Sequence, residues 1–209
     1  MFSKIETHIR TLSDTIPSEE RQEKLKQLTE YIQGKIVQKE MVNLNFVCTH
    51  NSRRSHLAQI WAQTLATYYG IPNVHCYSGG TEATAVFPQV ITTLQHQGFD
   101  IQELSSAQNA VHCIKFDENT PAIIGFSKVY DNAFNPQSGF GAVMVCSSAD
   151  QECPQVFGAD FRLALPFEDP KQSDGSPDME QTYFDRSLEI ASELNWVFSN
   201  AKTLAYSPS

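Results

Sequence analysis

Residues 42–55 read VNLNFVCTHNSRRS, and this stretch decides how the rest of the chain is interpreted. Apolar side chains alternate up to Cys48, which predicts a strand, and the sequence HLAQIWAQTLATYYG from His56 onward predicts a helix. A strand that leads through a short loop into a helix aims several backbone N–H groups at one point, beside the positive end of the helix dipole. The sequence therefore predicts an oxyanion site between this strand and this helix.

The spacing C-x5-R-S places Cys48, Arg54 and Ser55 around that site. A helix N-terminus and a nearby guanidinium both favour the thiolate, which is the nucleophilic form of cysteine. Arg54 can hold two anion oxygens in a fork, and Ser55 can donate a hydrogen bond to the sulfur. The alternative is a buried strand cysteine beside solvated arginines, but the flanking strand and helix favour the anion site. We expect the whole loop to bind the oxyanion, through Thr49, His50, Asn51, Ser52, Arg53 and Ser55.

The composition limits the class of protein. With 209 residues, 41% of them hydrophobic and 19% charged, the chain is long enough for one sizeable globular domain. A formal net charge of −9 argues against nucleic acid or anionic membranes as partners. No apolar run reaches the length of a membrane span, and the first residues lack the apolar core of a signal peptide. Five cysteines, an odd number, do not resemble a disulfide framework, so we expect a cytoplasmic protein.

Strand and helix patterns alternate beyond residue 41. This order predicts an α/β fold with a doubly wound, mainly parallel four-stranded sheet and helices on both faces. Gly79 and Gly80 are expected to turn the chain after the second strand. The segments 111–116 and 122–126 are interpreted as a hairpin added at a sheet edge. The four main strands are expected at residues 42–48, 74–78, 142–145 and 162–165, and the helices at 55–69, 87–97 and 178–200.

The segment before the first strand is interpreted as two helices. Apolar residues recur at helical spacing in both, and a break at Pro17 and Ser18 separates them. We expect this N-terminal extension, residues 1–40, to be a helical hairpin packed on a catalytic domain at residues 41–209. The alternative is a partner surface or a homodimer interface. The apolar stripes consist of Ile5, Ile9, Leu12 and Ile16 in the first helix, and of Leu25, Leu28, Ile32 and Ile36 in the second.

Asp169 follows the last predicted strand, in the sequence PFEDP. Loops at the carboxyl ends of parallel strands open on the same edge of a sheet, which places Asp169 near the anion loop. A carboxylic acid there can protonate a leaving oxygen while Cys48 attacks. The alternative is a turn residue or a helix cap.

The segment CTHNSRRS resembles the phosphate-binding loop of the low-molecular-weight protein tyrosine phosphatase superfamily, to which thioredoxin-coupled arsenate reductases also belong. The superfamily has an aspartate before a proline as its general acid, and Asp169 with Pro170 matches it. His50 stands where the family usually has glycine, so a left-handed backbone there would be strained. Arg53 replaces the usual second loop cysteine and adds positive charge.

Two further cysteines, Cys146 and Cys153, lie six residues apart in CSSADQECP. The resemblance implies a relay in which Cys48 forms an arsenate adduct, Cys146 attacks Cys48, and Cys153 attacks Cys146. Thioredoxin then reduces the Cys146–Cys153 disulfide. The alternative is that both are incidental thiols, and Cys76 and Cys113 are interpreted as structural.

Metals and cofactors are not expected. Two cysteines without a second ligand pair do not make a tetrahedral zinc site. The resemblance also suggests a potassium site, for which Asn51 and Ser78 match, but Gln59 replaces an acidic residue of that site and argues against it.

Three functions remain open from the sequence. The first is a thioredoxin-dependent arsenate reductase that acts on arsenate or a similar oxyanion. The second is a phosphatase that uses Cys48, Arg54 and Asp169 alone, although Lys171 stands where phosphatases place an aromatic residue. The third is an oxyanion-binding regulatory module that signals through its N-terminal helices.

Overall fold

The computed structural model describes residues 1–205 apart from Asp14 and Pro154. The helices are α1 (Ser3–Leu12), α2 (Glu19–Val37), α3 (Arg54–Tyr68), α4 (Pro88–His96), α5 (Ser147–Glu152) and α6 (Met179–Ala205). The strands are β1 (Val42–Cys48), β2 (Val74–Gly80), β3 (Asp100–Glu103), β4 (His112–Lys115), β5 (Ile123–Gly125), β6 (Phe140–Met144) and β7 (Ala159–Ala164). A short 3-10 helix, Pro170–Ser173, follows the last strand.

The main sheet has the strand order β2-β1-β6-β7, and all of its neighbouring strands are parallel. The central strand β1 is almost completely buried, and α3 packs against β1 and β2 while α2 packs against β7 and β1. The predicted α/β fold with a doubly wound parallel sheet is therefore confirmed. The carboxyl ends of β1, β6 and β7 lie along one edge, which brings the loops after Cys48, Met144 and Ala164 together.

Gly79 and Gly80 were wrongly predicted to form a turn, because they continue β2 and pair with Val47 and Cys48. A Cβ atom built on Gly80 would lie 2.6 Å from the Thr49 carbonyl oxygen. Glycine is needed here because β2 passes directly beside the backbone of the anion loop.

The second correction concerns the region between the main strands. β4 and β5 pair as an antiparallel hairpin, as predicted, but they do not extend the main sheet. They form a separate three-stranded sheet with β3. The sequence did not reveal β3 because its four residues, DIQE, are largely exposed and mostly polar, so they carry no burial pattern.

The two N-terminal helices pack on the rest of the chain. Both α1 and α2 contact α6, and the residues of their apolar stripes are buried, except for Ile36, which is partly buried, and Ile16, which lies beyond the end of α1 and is 77% exposed. Arg21 in α2 holds Glu193 of α6 with two hydrogen bonds, from Nε at 2.7 Å and from Nη2 at 2.5 Å. These contacts favour a packed helical pair over a free dimer interface.

Among the residues that the structure describes, no helix combines the length and the apolar character needed to cross a membrane.

Two glycine substitutions test the contact between β2 and the anion loop. We expect Gly80→Ala to lower the free energy of unfolding by about 1–3 kcal/mol, because the added methyl group meets backbone atoms of Thr49 and Asn51 within 2.7 Å. Gly34→Ala in α2 is the matched control, since its Cβ would meet no atom within 4 Å. We expect the control to gain about 0.5–1 kcal/mol from helix propensity. Urea unfolding measures both, and an unchanged stability in Gly80→Ala would contradict the close approach.

Candidate active site

The loop between β1 and α3 directs its carbonyl groups away from the space above Cys48. The carbonyl oxygens of residues 48–53 all accept hydrogen bonds from groups outside this space. The donors are Thr81 N, Glu82 N, Ser127 Oγ, His56 Nε2, Phe87 N and His56 N, in chain order of the acceptors, at distances of 2.8–3.1 Å. No residue within the described part of the chain accepts a hydrogen bond from the backbone N–H groups of residues 49–53. These N–H groups are therefore available to an anion.

A chain of hydrogen bonds points a proton at the Cys48 sulfur. The backbone N–H of Lys128 donates to Asn51 Oδ1 at 2.9 Å, which fixes the orientation of the Asn51 amide. Asn51 Nδ2 then donates to Ser55 Oγ at 2.8 Å, so the hydroxyl hydrogen of Ser55 is free for the sulfur, 3.1 Å away. A donated hydrogen bond stabilises a thiolate more than a thiol. The predicted contact between Ser55 and Cys48 is present.

His56 is a buried support of the loop, and sequence reasoning did not identify it. Its Nε2 donates to the Asn51 carbonyl oxygen at 2.9 Å, and its Nδ1 lies 3.4 Å from Ser78 Oγ. Complete burial, with the nearby positive charge of Lys128 as a smaller cause, lowers the pKa of His56 to about 3. The imidazole is therefore neutral at ordinary pH, and its single N–H is used to hold the loop.

Arg54 and Asp169 form an ion pair in the cleft above Cys48. Arg54 donates from Nη1 to the Phe167 carbonyl oxygen at 2.9 Å and from Nη2 to Asp169 Oδ2 at 2.5 Å. Asp169 also accepts from the backbone N–H of Lys171 at 3.1 Å. The carboxyl group thus lies at the edge of the anion site, where the strand order predicts it. The cleft is small, with a volume of about 10 Å³, and it is lined by Cys48, Thr49, His50, Ser52, Arg53, Arg54 and Asp169.

The side chain of Arg53 is occupied by protein groups. Its Nε donates to Tyr183 Oη at 2.6 Å, its Nη2 donates to Asp174 Oδ2 at 2.6 Å, and its guanidinium lies 4.0 Å from the Phe87 ring centre. Its positive charge is paired with Asp174, so the predicted extra charge beside the anion is largely neutralised. Arg53 instead ties the loop to α4 and α6, and its backbone N–H is what it offers to an anion.

His50 does not take the left-handed backbone that would strain a histidine. Asn51, with a φ of 44°, is the loop residue with a left-handed backbone. Asparagine tolerates this conformation better than most residues, and the buried Asn51 side chain is held at both ends. The His50 ring is half exposed at the mouth of the cleft, 3.8 Å from the Glu82 carboxylate.

Cys146 lies close to the anion loop, at the carboxyl end of β6. β6 pairs directly with β1, and the Cys146 sulfur is 3.5 Å from Thr49 Oγ1. It also accepts a hydrogen bond from the Ala149 N–H at 3.3 Å, as the N-cap of α5. The structure therefore brings Cys146 beside the loop that carries Cys48, as the relay requires.

Cys153 ends α5 and is partly exposed. Seven helical steps separate its Cα from that of Cys146 by about 10 Å, because a helix rises about 1.5 Å per residue. A disulfide needs Cα atoms within about 7 Å. Cys146 and Cys153 therefore lie at opposite ends of α5 and cannot form a disulfide while α5 keeps its helical form.

The other two cysteines lie away from the cleft. Cys76 is buried on β2, where burial strongly raises the pKa of its thiol, and Cys113 lies on β4. Within the described residues, no group of three His, Cys, Asp or Glu side chains is placed to hold a metal ion. Two residues that correspond to the family's potassium site contact protein groups. Gln59 donates to the Cys76 carbonyl oxygen, and the Ser78 hydroxyl group lies 3.4 Å from His56 Nδ1.

The fold and the loop define an α/β protein with a cysteine at the floor of an oxyanion site. Residues 43–118 match the family described as low molecular weight phosphotyrosine protein phosphatase. An arsenate reductase of Bacillus licheniformis is 25% identical over 142 residues, which cover 68% of this chain and 83% of that protein. An arsenate reductase of Staphylococcus aureus strain Newman is 30% identical over 112 residues, 53% of this chain and 65% of that protein.

Solved structures share the fold. The crystal structure of a YwlE mutant from Bacillus subtilis has a TM-score of 0.51 at 17% identity and covers 76% of this chain and 97% of its own. A low molecular weight phosphotyrosine phosphatase from Vibrio cholerae O395 has a TM-score of 0.50 at 14% identity, and the match covers 76% of this chain and 95% of that protein. The family match and the arsenate reductase relatives support the superfamily of low-molecular-weight phosphotyrosine phosphatases and arsenate reductases, and they support an enzyme of that group.

The buried histidine predicts how stability changes with pH. Because the folded pKa of His56 is about 3 and the unfolded value is 6.5, the unfolded chain binds more protons between these pH values. We expect the free energy of unfolding to fall on acidification below pH 6.5, with His56 contributing at most about 1.4 kcal/mol per pH unit. Urea unfolding from pH 7 to pH 5 should show a smaller loss in His56→Gln than in the wild type. Equal pH slopes would contradict a buried neutral His56.

Proposed function

We propose that the protein reduces arsenate to arsenite through a thiol relay that thioredoxin regenerates. The observation that carries the first step is the set of backbone N–H groups of residues 49–53, beside Arg54 and above Cys48, which donate to no described residue. A tetrahedral oxyanion placed there receives hydrogen bonds from the backbone and from the guanidinium. Its central atom then faces the sulfur that Ser55 supports.

The first half of the relay binds arsenic to sulfur. The Cys48 thiolate attacks arsenate and forms an S–As bond, while one arsenate oxygen leaves as water. We assign the proton for that leaving oxygen to Asp169, because its carboxyl group lines the cleft. Arsenic remains in the +5 state in this adduct.

The second half transfers two electrons to arsenic. Cys146 attacks the Cys48 sulfur, the S–As electron pair goes to arsenic, and arsenite leaves with a Cys48–Cys146 disulfide behind it. Thr49 connects the two thiols, because it follows Cys48 directly and its hydroxyl group contacts the Cys146 sulfur. The Ala149 N–H donates a hydrogen bond to the Cys146 sulfur and holds it beside Thr49.

The last exchange requires α5 to open. Cys153 attacks Cys146 and frees Cys48, and the resulting disulfide closes only when the 10 Å helical separation is lost. Arg162 holds the closed form, since it donates to Asp150 Oδ1 at 2.6 Å and to the Cys153 carbonyl oxygen at 2.9 Å. Burial and the nearby Glu152 raise the pKa of Cys153, which keeps it a thiol until the helix opens. An opened segment would present the Cys146–Cys153 disulfide to thioredoxin.

The proposed catalytic residues all lie in one part of the chain. Residues 41–209 carry all the proposed catalytic residues, Cys48, Arg54, Asp169, Cys146 and Cys153, and we infer that they are the catalytic unit. Residues 1–40 form an extension that packs on α6. A relay of free thiols needs a reducing compartment, so we place the protein in the cytoplasm.

A phosphatase is the second candidate, because Cys48, Arg54 and Asp169 are together in one cleft without the later cysteines. In this alternative, Cys48 attacks phosphorus, Asp169 protonates the leaving alcohol, and water hydrolyses the phospho-cysteine.

Disulfide mapping after incubation of the reduced protein with arsenate tests the relay. We expect a Cys146–Cys153 disulfide in the wild type and a trapped Cys48–Cys146 disulfide in Cys153→Ser. We expect loss of thioredoxin-coupled turnover in Cys146→Ser, and Cys113→Ser is the matched control that keeps wild-type turnover.

Sustained thioredoxin-coupled turnover in Cys146→Ser would contradict the relay. Rapid hydrolysis of an aryl phosphate by Cys153→Ser, without arsenate reduction by the wild type, would establish the phosphatase instead.

A further inference from the structure

Asp169 lies on a short segment that is contacted by Arg21, a residue of the N-terminal extension. We call residues 165–169, which follow β7, the acid segment. Arg21 donates from Nη1 to the Pro166 carbonyl oxygen at 3.3 Å, and its guanidinium lies 5.0 Å from the centre of the Phe167 ring. Arg21 and Pro166 are 145 residues apart in the chain, so only the fold brings the extension to the acid segment.

Arg54 holds the same segment from the side of the cleft. Its Nη1 donates to the Phe167 carbonyl oxygen at 2.9 Å, and its Nη2 donates to Asp169 Oδ2 at 2.5 Å. The Phe167 N–H donates to the Val145 carbonyl oxygen at 3.1 Å, which attaches the segment to the end of β6. Phe167 thus lies between two guanidinium groups, with Arg21 at its ring and Arg54 at its carbonyl group. A shift of Phe167 therefore moves Asp169, which follows it by two residues.

Arg21 is itself fixed in place by α6. Its Nε donates to Glu193 Oε1 at 2.7 Å, and its Nη2 donates to Glu193 Oε2 at 2.5 Å. Glu193 is 7% exposed, and a bidentate pair with a carboxylate fixes the plane of a guanidinium. The contacts to Pro166 and Phe167 are made in addition to this pair. They join the acid segment to the rigid contact between α2 and α6.

General acid catalysis requires the acid to lie within hydrogen-bond reach of the leaving oxygen, and a displacement of about 1 Å can cost a hundredfold in rate. We propose that Arg21 is a positioning residue for the reaction, which fixes Pro166 and Phe167 so that Asp169 stays at the cleft. This inference rests on the proposed function, in which Asp169 protonates the leaving oxygen. It gives residues 1–40 a part in the reaction that packing on α6 alone does not require.

The full-length Cys153→Ser protein tests the proposal, because arsenate traps its Cys48–Cys146 disulfide. In this background we expect Arg21→Met to lower the maximal rate of disulfide formation about tenfold. The arsenate concentration that gives half of the maximal rate should stay within about twofold, because the anion loop is unchanged. Asp169→Asn should lower the maximal rate by about a hundredfold or more.

Two comparisons separate positioning of the acid from a general loss of structure. Arg21→Met combined with Asp169→Asn should be no slower than Asp169→Asn alone, because Arg21 acts only through that carboxyl group. Alkylation of Cys48 by iodoacetamide releases iodide, which needs no proton. Arg21→Met should therefore keep the wild-type rate of alkylation and its protection by inorganic phosphate.

Lys35→Met is the matched control for loss of an ion pair. Lys35 also lies on α2, and it binds Asp160 of β7 at 2.7 Å and Glu40 at 2.8 Å rather than the acid segment. We expect this control to form the disulfide at the wild-type rate. Because Arg21→Met leaves the Glu193 carboxylate buried without its partner, Arg21→Met with Glu193→Gln replaces it if circular dichroism shows that the single variant does not fold.

The proposal is overturned if Arg21→Met forms the disulfide at the wild-type rate, if its effect multiplies with that of Asp169→Asn, or if Lys35→Met is slowed equally. If arsenate gives no disulfide without Arg21→Met, the proposed function fails, and hydrolysis of phenyl phosphate and para-nitrophenyl phosphate decides the proposal. Arg21→Met should then slow phenyl phosphate more, because its leaving group needs the proton more. Equal slowing, or no hydrolysis of either ester, would overturn the role of Arg21.

Discussion

The hydrogen bonds that turn the carbonyl groups of residues 48–53 away from the cleft are the constraint on which the site depends. Their donors come from the segment after β2, from Ser127 and from the first turn of α3, so distant parts of the chain meet at one loop. A backbone whose carbonyls are engaged on one side presents its N–H groups on the other. A chain with a net charge of −9 thereby makes a local site for an anion.

The same constraint explains residues with no direct part in the chemistry. Gly80 lets β2 pass within contact of the loop, and His56 stays neutral so that its N–H can hold the Asn51 carbonyl. Asn51 takes the left-handed backbone and directs the Ser55 hydroxyl to the sulfur. Arg53 fixes the end of the loop against Asp174. Each side chain serves the position of the cysteine rather than the reacting atoms.

Much of the fold could be predicted from the sequence because burial leaves a pattern. β1 was predicted with its observed bounds, since its apolar alternation is strong, and the C-x5-R-S spacing located the site. β3 was missed because an exposed polar strand carries no such pattern. The prediction of a turn at Gly79 and Gly80 was wrong because glycine indicates a turn as readily as a close approach of two backbone segments.

The parts of the site that could not be predicted come from contacts far apart in the chain. Arg53 pairs with Asp174, 121 residues away, and Asn51 accepts from Lys128, 77 residues away. No local spacing encodes these pairs. The placement of Cys146 could be predicted from the sequence, because a cysteine after an apolar parallel strand lies at the same edge of the sheet as the anion loop. The hydrogen bonds from Arg162 to the end of α5 could not be predicted, since they depend on the path of β7.

Alkylation of the reduced protein by iodoacetamide, with and without inorganic phosphate, tests the anion loop most directly. Mass spectrometry of the cysteine peptides gives a rate for each thiol. We expect Cys48, although only 4% exposed, to react faster than the more exposed Cys113, and phosphate to slow Cys48 alone. A slower reaction at Cys48 than at Cys113, with no effect of phosphate, would contradict a thiolate held beneath an oxyanion site.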